Sequence, residues 1–370
     1  MAGKGRMPFI VLVAVFLLGL TAACGSVASG GGGAGASGRA GAAPAALTLR
    51  ESGSTLLYPL MQSWAAAYHT QVPGVTVSTA ATGSSKGIAY ASAGAADIGT
   101  SDAYLSSGDL VKNPALLNIP LVISAQVIDY NVPGIGPGTH LNLDGEVLAQ
   151  IYQGTITTWD DQAIVKLNPH VRLPPTAIVP VHRSDGSGDT FLFTSYLSTQ
   201  DPAWNAAIGY GTSVAWPPLA SGIAEQGNKN VEKKCAATVG CVAYVGISYL
   251  NQSIGDNLGY AALANAAGQS ELPSATTINA SVASFVSSTP PNETISMVDG
   301  PAADGYPIVN YEYAIVSTRQ PDAARARAIR AFLTWVITTG NSANYLQPVR
   351  FEPLPPAVVT LAGEQIARIG

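Results

Sequence analysis

The 370-residue chain is 47% hydrophobic and 11% charged, with 39 glycines and 25 prolines. This is the turn-rich composition of two domains or one two-lobed globular body, and it excludes a disordered chain, which carries more charge and fewer apolar residues. The formal charge of −5 and the lack of any Lys/Arg run longer than Lys233-Lys234 exclude nucleic acid as a partner, because backbone binding needs basic patches that displace counterions; an anion bound here must be held by a local site against a repulsive overall field.

Lys4 and Arg6 precede an apolar run from Met7 to Leu20 that is short for a membrane span and gives way to small residues at Thr21-Ala22-Ala23-Cys24-Gly25. This pattern is that of an export signal over residues 1–23, removed from the mature chain. The placement of Cys24 resembles a bacterial lipobox, whose cysteine becomes the lipidated first residue, although Thr21 stands where that motif usually has leucine; a plain secretory signal with an incidental cysteine is the alternative. Residues 24–46 then form a Gly/Ala/Ser tether, reaching roughly 25 Å root-mean-square. Loss of Lys4 and Arg6 leaves the mature chain more acidic still.

Leu47–Leu49 predicts a first strand. The apolar spacing of Leu56, Leu57, Leu60, Trp64, Ala67 and Tyr68 predicts a helix after Gly53-Ser54-Thr55, with Ser54 or Thr55 as its cap. Val75–Val77 predicts a second strand, followed by the loop Thr82–Gly87 and a small-residue helix to Gly94. Ala96–Gly99 predicts a third strand ending at Ser101-Asp102. The β-α-β-α-β order implies a mostly parallel sheet flanked by helices. Ile119–Tyr130 is a long β-prone run, Leu148–Tyr152 is helical, and Thr158–Asp161 is a turn. Ile178–Val181 reads as a strand feeding HRSDGSGDTF, and Ile308–Val316 with Pro321–Thr338 as a last strand and helix. Cys235 and Cys241, six apart in an exported chain, are expected to form a disulfide; zinc is the rival, weakened by the absence of a nearby histidine.

Three segments share one order of strand, small polar loop and helix: GST (53–55), GSSKG (83–87) and DGSGDT (185–190). Such helix starts offer free backbone N–H groups, hydroxyls and the positive end of the helix dipole, at the strand ends where α/β sheets bind ligands. Converging, and joined by Arg183, they make an anion cradle; taken singly, each Ser or Thr caps its own helix. Lys86 is expected to be a solvated helix-start residue. Neither the tether nor Ser84-Ser85-Lys86 matches G-x-x-x-x-G-K-[ST], so nucleotide binding is not expected.

GSTLLYPL, GTSDAYL, IYQGTITTWDD, HRSDGSGDTFLF, GCVAYVGISYL and DGYPIVNYEYAIV resemble the phosphate-binding component of phosphate-specific ABC transporters, in the pattern of the actinobacterial lipoproteins, from Leu47 onward. The resemblance implies a two-lobed periplasmic-binding-protein fold of the Venus-flytrap type II, with two mixed sheets flanked by helices: lobe one at 47–125 plus 307–370, lobe two at 126–306. It places Thr55 with the backbone N–H of Leu56, Ser84, Asp102, Arg183, Ser187, Gly188 and Asp189 on phosphate, with Asp185 behind Arg183. Asp189 departs from the threonine common in proteobacterial members. The resemblance further implies no cofactor and no metal, inorganic phosphate and ABC permease subunits as partners, a monomer, and attachment to the outer face of the cell membrane through lipid.

The physics fits that pattern. Arg183 can give charge-assisted bonds to two phosphate oxygens, and Asp102 can accept the proton phosphate still carries near neutral pH, which sulfate lacks. Two carboxylates, Asp102 and Asp189, can accept two protons and favour the monobasic ion. Two alternatives compete. A secreted hydrolase or phosphatase is weakened because G186-S187-G188 lacks the nucleophile-elbow pattern, the histidines at 69, 140, 170 and 182 are scattered, and no Asp/His cluster suits a metal. A binder of another oxyanion such as arsenate, nearly isosteric with phosphate, is the second.

Overall fold

The computed structural model describes residues 46–370; the expected signal peptide, Cys24 and the tether as far as residue 45 lie outside the described residues. The strands are β1 (Leu47–Ser52), β2 (Val75–Ser78), β3 (Ile98–Ser101), β4 (Leu116–Tyr130), β5 (Asn142–Leu143), β6 (Val179–Arg183), β7 (Ile223–Glu225), β8 (Cys241–Gly246), β9 (Gly259–Tyr260), β10 (Ala262–Ala264), β11 (Ser270–Glu271) and β12 (Val309–Ser317). The nine-stranded main sheet has the order β2-β1-β3-β12-β4-β8-β6-β7, with β9 joining β4, and β11-β10-β5 form a small second sheet.

The organising element is β4. Its run LLNIPLVISAQVIDY is buried at every position, as a strand covered on both faces must be. Leu116–Ala125 pair antiparallel with β12, whereas Gln126–Tyr130 pair antiparallel with β8. One strand of about 50 Å thus serves two sheet halves, each flanked by helices. The first half adds β1, β2 and β3 in the expected parallel arrangement, and the second adds β6, β7 and β8, also parallel. The antiparallel insertion of β4 and β12 makes the sheet mixed, an α/β fold of the two-lobed binding-protein kind.

The helix Tyr58–Gln71 buries Leu60, Trp64 and Tyr68, and Tyr68 packs edge-on to Phe332 and Trp335 at 5.1 and 5.5 Å between centroids. Its start differs from expectation. Leu57 holds the cap position without a side-chain cap, because the Thr55 hydroxyl is turned to the other half of the molecule and Ser54 reaches only as far as the Leu57 N–H, at 2.9 Å. Cys235, at the end of the helix Gly227–Ala236, and Cys241, opening β8, form the expected disulfide with Cα atoms 5.2 Å apart.

Candidate functional site

Each of the three small polar loops leaves a strand end and enters a helix: Gly53–Thr55 after β1, Gly83 before the helix Ser84–Ser92, and Ser184–Ser187 between β6 and the helix Gly188–Gln200. They meet at the seam between the two sheet halves. Gly83 has φ of +94°, and a Cβ there would come within 2.6 Å of Asp185 Oδ2 and 2.8 Å of the Gly186 carbonyl, so glycine is needed both for the backbone and for the approach. Beside it the Ser85 N–H donates to Gly186 O at 3.1 Å, and Ser85 Oγ donates to Thr212 Oγ1 at 2.9 Å. Farther out, Tyr104 packs edge-on to Phe191, centroids 5.3 Å apart.

From β6, Arg183 enters the seam only 3% exposed. Its Nε and Nη2 donate to Asp185 Oδ1 and Oδ2 at 2.7 and 2.5 Å, and its Nη1 to Asp189 Oδ2 at 2.5 Å. Burial opposes the guanidinium charge, but these two carboxylates outweigh it and fix Arg183 as a cation. Burial likewise opposes ionisation of Asp185, yet the Arg183 contacts hold its carboxyl below the ordinary range. Asp189 is pushed up by burial, with Arg183 and Asn228 pulling the other way; four donors surround its carboxylate, since Asn228 Nδ2 lies at 2.7 Å, Ser187 Oγ at 3.3 Å and Gln126 Nε2 at 3.4 Å besides Arg183.

Asp102 sits opposite, just after β3 and 2% exposed. Its Oδ1 accepts from Ser54 Oγ, and its backbone N–H donates to Ser84 Oγ at 3.3 Å. Its Oδ2 is buried without a protein partner and faces the start of the helix at Gly188, where a Cβ would stand 2.4 Å away. Burial first, then the charges of Glu312 and Asp189, push the Asp102 pKa well up. Thr55 is reached from across the seam: Asn228 Nδ2 and N–H donate to its Oγ1 at 2.9 and 3.2 Å. Leu56, fully buried, lies against Gly246 and accepts from Ser248 Oγ at 2.7 Å.

All the candidate residues named from the sequence, Thr55, Leu56, Ser84, Asp102, Arg183, Asp185, Ser187, Gly188 and Asp189, therefore line one seam. The arrangement offers one fixed cation, hydroxyls, helix-start N–H groups and one carboxylate oxygen free to accept a proton: a constellation for a small protonated oxyanion. His182, by contrast, stacks on Trp216 with centroids 4.8 Å apart, while Ser187 Oγ contacts Asp189 and the Thr190 N–H; no nucleophile–base pair forms between them. Lys86 is exposed, as expected.

Three residues at this seam escaped the sequence reading. Asn228 joins Thr55 to Asp189, with its Oδ1 accepting from the Gly246 N–H at 2.8 Å. Gln126 donates to the Asp189 carbonyl at 2.9 Å. Glu312 on β12 is fully buried and accepts from Ser124 Oγ at 2.7 Å, Asn310 Nδ2 at 3.0 Å and Ser54 Oγ at 3.2 Å. For Gln126 and Glu312 a signal existed: a long polar side chain inside a mostly apolar strand, near Ser124 and Asp129 in β4 and near Asn310 in β12.

A model of the PBP superfamily domain matches residues 38–339. A protein of Xylella fastidiosa named "Phosphate-binding protein PstS" is 36% identical over 309 residues, covering 83% of this chain and 82% of that one. A Mycobacterium tuberculosis protein named "Phosphate-binding protein PstS 2" is 32% identical over 345 residues, covering 90% of each. Among solved structures, a phosphate-binding protein from Stenotrophomonas maltophilia superposes with a TM-score of 0.66 at 20% identity, covering 86% of this chain and 93% of that one, a likeness of fold.

Proposed function

Because the chain belongs to the PBP superfamily, and within it to the family of the phosphate-binding proteins, we propose that it captures inorganic phosphate between two lobes and delivers it to an ABC importer. The observation that carries this reading is the pairing, across one seam, of a carboxylate-fixed Arg183 with the partnerless buried oxygen Asp102 Oδ2. Arg183 supplies charge-assisted bonds through its remaining N–H groups. The Thr55 and Ser84 hydroxyls, with the N–H groups of Leu56 and Gly188, satisfy further oxygens, and Asp102 Oδ2 accepts the P–OH; Ser187, whose N–H is given to the Thr212 carbonyl at 2.8 Å, shapes the helix start. Asp189, already surrounded by donors, steers Arg183 with Asp185; acceptance of the ligand proton falls on Asp102. Sulfate brings no proton, so the carboxylate and a sulfate oxygen meet as two acceptors.

Lobe one takes residues 47–125 and 307–370, and lobe two 126–306. This division is supported by the switch of β4 from β12 to β8 between Ala125 and Gln126, where the Gln126 N–H also meets the Ile308 carbonyl at 3.1 Å. Ligand contacts from both lobes favour the closed form. We read the chain as a receptor without a catalytic step, since His182 is committed to Trp216 and the relatives are named as binding proteins. Export, lipidation at Cys24 and action as a monomer beside membrane permease subunits complete the reading.

Calorimetric titration of the mature, ligand-stripped protein tests it. One phosphate per chain with heat of binding, and none with sulfate, is expected; absence of any phosphate response overturns it.

A further inference from the structure

The receptor reading leaves Glu312 unused. It is a carboxylate with no exposed surface, and among the described residues no cation forms a salt bridge with it. It lies where the register of β12 against β4 shifts, between Glu312 and Tyr313, an irregularity of the kind that re-aims side chains.

A count of hydrogens constrains its state. The Ser54 hydroxyl has one proton and two lone pairs. Its oxygen accepts the Leu57 N–H at 2.9 Å, and it also contacts Asp102 Oδ1 and, at 3.2 Å, Glu312 Oε2. One hydroxyl proton cannot serve two anionic oxygens, so one carboxyl must bring its own. Oε1 of Glu312 already receives Ser124 Oγ and Asn310 Nδ2, Oε2 receives Ser54 Oγ, and the Asp102 carboxyl lies within hydrogen-bonding reach of the Glu312 carboxyl. Two arrangements satisfy these atoms: Glu312 Oε2–H to Ser54 Oγ with Ser54 Oγ–H to Asp102 Oδ1, and the reverse, Asp102 Oδ1–H to Ser54 Oγ with Ser54 Oγ–H to Glu312 Oε2. The charged groups facing this chain are Asp102 itself, Asp189 and Arg183 across the seam, and Glu51 on β1, which accepts from Thr100 Oγ1 at 2.6 Å while that same oxygen accepts the Ser54 N–H at 3.0 Å. Three of the four are carboxyl groups, and ionising Asp102 and Glu312 together would bury two like charges side by side, a costly state. Burial, reinforced by the charge of Asp189, holds Glu312 above the ordinary carboxylate range despite its hydrogen bonds.

We propose that Glu312 is a positioning residue for phosphate recognition: it carries the proton of the Asp102–Glu312 pair and exchanges it with Asp102 through Ser54. The inference rests on the receptor reading above. In the exchange the Glu312 O–H breaks as a new O–H forms on Ser54, while the original Ser54 O–H breaks as one forms on Asp102 Oδ1. Two protons move one place, no side chain swings, and the net charge is unchanged. Asp102 is then ionised when the ligand presents P–OH; without such a donor the proton rests on Oδ1, turned to Ser54, and Oδ2 stays an acceptor that a proton-free oxyanion cannot satisfy.

Infrared difference spectroscopy on the mature protein, with and without phosphate, tests this alongside calorimetry. The wild-type spectrum is expected to contain the carbonyl band of a protonated carboxylic acid that Glu312→Gln lacks, and phosphate is expected to shift that band. Ser54→Ala keeps both carboxyls but cuts the path, so the band should remain and stop responding to phosphate. A merely structural Glu312 would lower the melting temperature of Glu312→Gln and change no such band. A wild type that binds phosphate but loses no band on substitution, or shows one indifferent to phosphate, overturns the relay and leaves the receptor reading standing. A wild type that gives no phosphate heat overturns the receptor reading itself.

Discussion

Gly188 is a point of close approach across the seam, and substituting it separates closure from folding. A Cβ at Gly188 would lie 2.4 Å from Asp102 Oδ2, 2.5 Å from its Cβ and 2.6 Å from its Cγ. Because the Asp102 Cβ is among the atoms struck, rotation of the carboxylate cannot relieve the contact; the helix start and the Asp102 loop must part by about 1 Å to reach ordinary van der Waals distance. Overpacking of this kind costs about 1–3 kcal/mol, which corresponds to about 5- to 150-fold weaker phosphate binding in Gly188→Ala. On the proposed function, in which the lobes part without ligand, the cost falls on the closed form only. In the open protein alanine suits the first turn of a helix at least as well as glycine, so the ligand-free melting temperature should hold while phosphate stabilises the variant less than the wild type. Titration calorimetry and thermal melting with and without phosphate measure the two quantities. Wild-type affinity in Gly188→Ala would refute the closed geometry, and a lowered ligand-free melting temperature would refute the claim that the clash belongs to closure.

Asn228→Ala removes donors to Thr55 Oγ1 and Asp189 Oδ2, and should weaken phosphate binding by about 1–3 kcal/mol, read by calorimetry; unchanged binding would show that Asn228 does not organise the site. Replacing Cys235 and Cys241 together by serine opens the loop between residues six apart and should cost about 2 kcal/mol of unfolding free energy, measured by denaturant titration of the oxidised wild type against the variant. Glu51, pushed up by burial to about 8, binds a proton more readily folded than unfolded. Its contribution to stability is full below the unfolded value and lost as pH rises through about 8. Glu51→Gln should therefore flatten the decline of melting temperature between about pH 5.5 and 8.5, and an unaltered profile would assign the decline elsewhere.

Much of this was legible in the chain because local chemistry and tertiary position coincide. The three Gly/Ser/Thr loops each follow a β-prone run and open a helix, so their convergence needed only the α/β rule that ligands sit at strand ends. The long apolar run ending at Tyr130 announced a buried strand; that it would serve two sheet halves by changing partner at Gln126 depends on long-range pairing that no local pattern encodes. The cap of the first helix was misread for a related reason: Ser54 is drawn toward Asp102 and Glu312 and Thr55 toward Asn228, so tertiary partners displaced the local role. Asn228 comes from a helix start far along the chain, in a polar stretch with no feature to mark it. Glu312 and Gln126 did carry a mark, a long polar side chain in a mostly apolar strand, since such a residue is buried only where partners await it.

The central claim is that Asp102 reads the proton of phosphate, and the most direct test is the ratio of phosphate to sulfate affinity in the wild type and in Asp102→Asn at one pH and ionic strength. The wild type should prefer phosphate by as much as about 10⁴-fold. In Asp102→Asn the amide can donate to a bare oxygen, so the preference should fall to within about tenfold. An undiminished preference in Asp102→Asn would contradict the account.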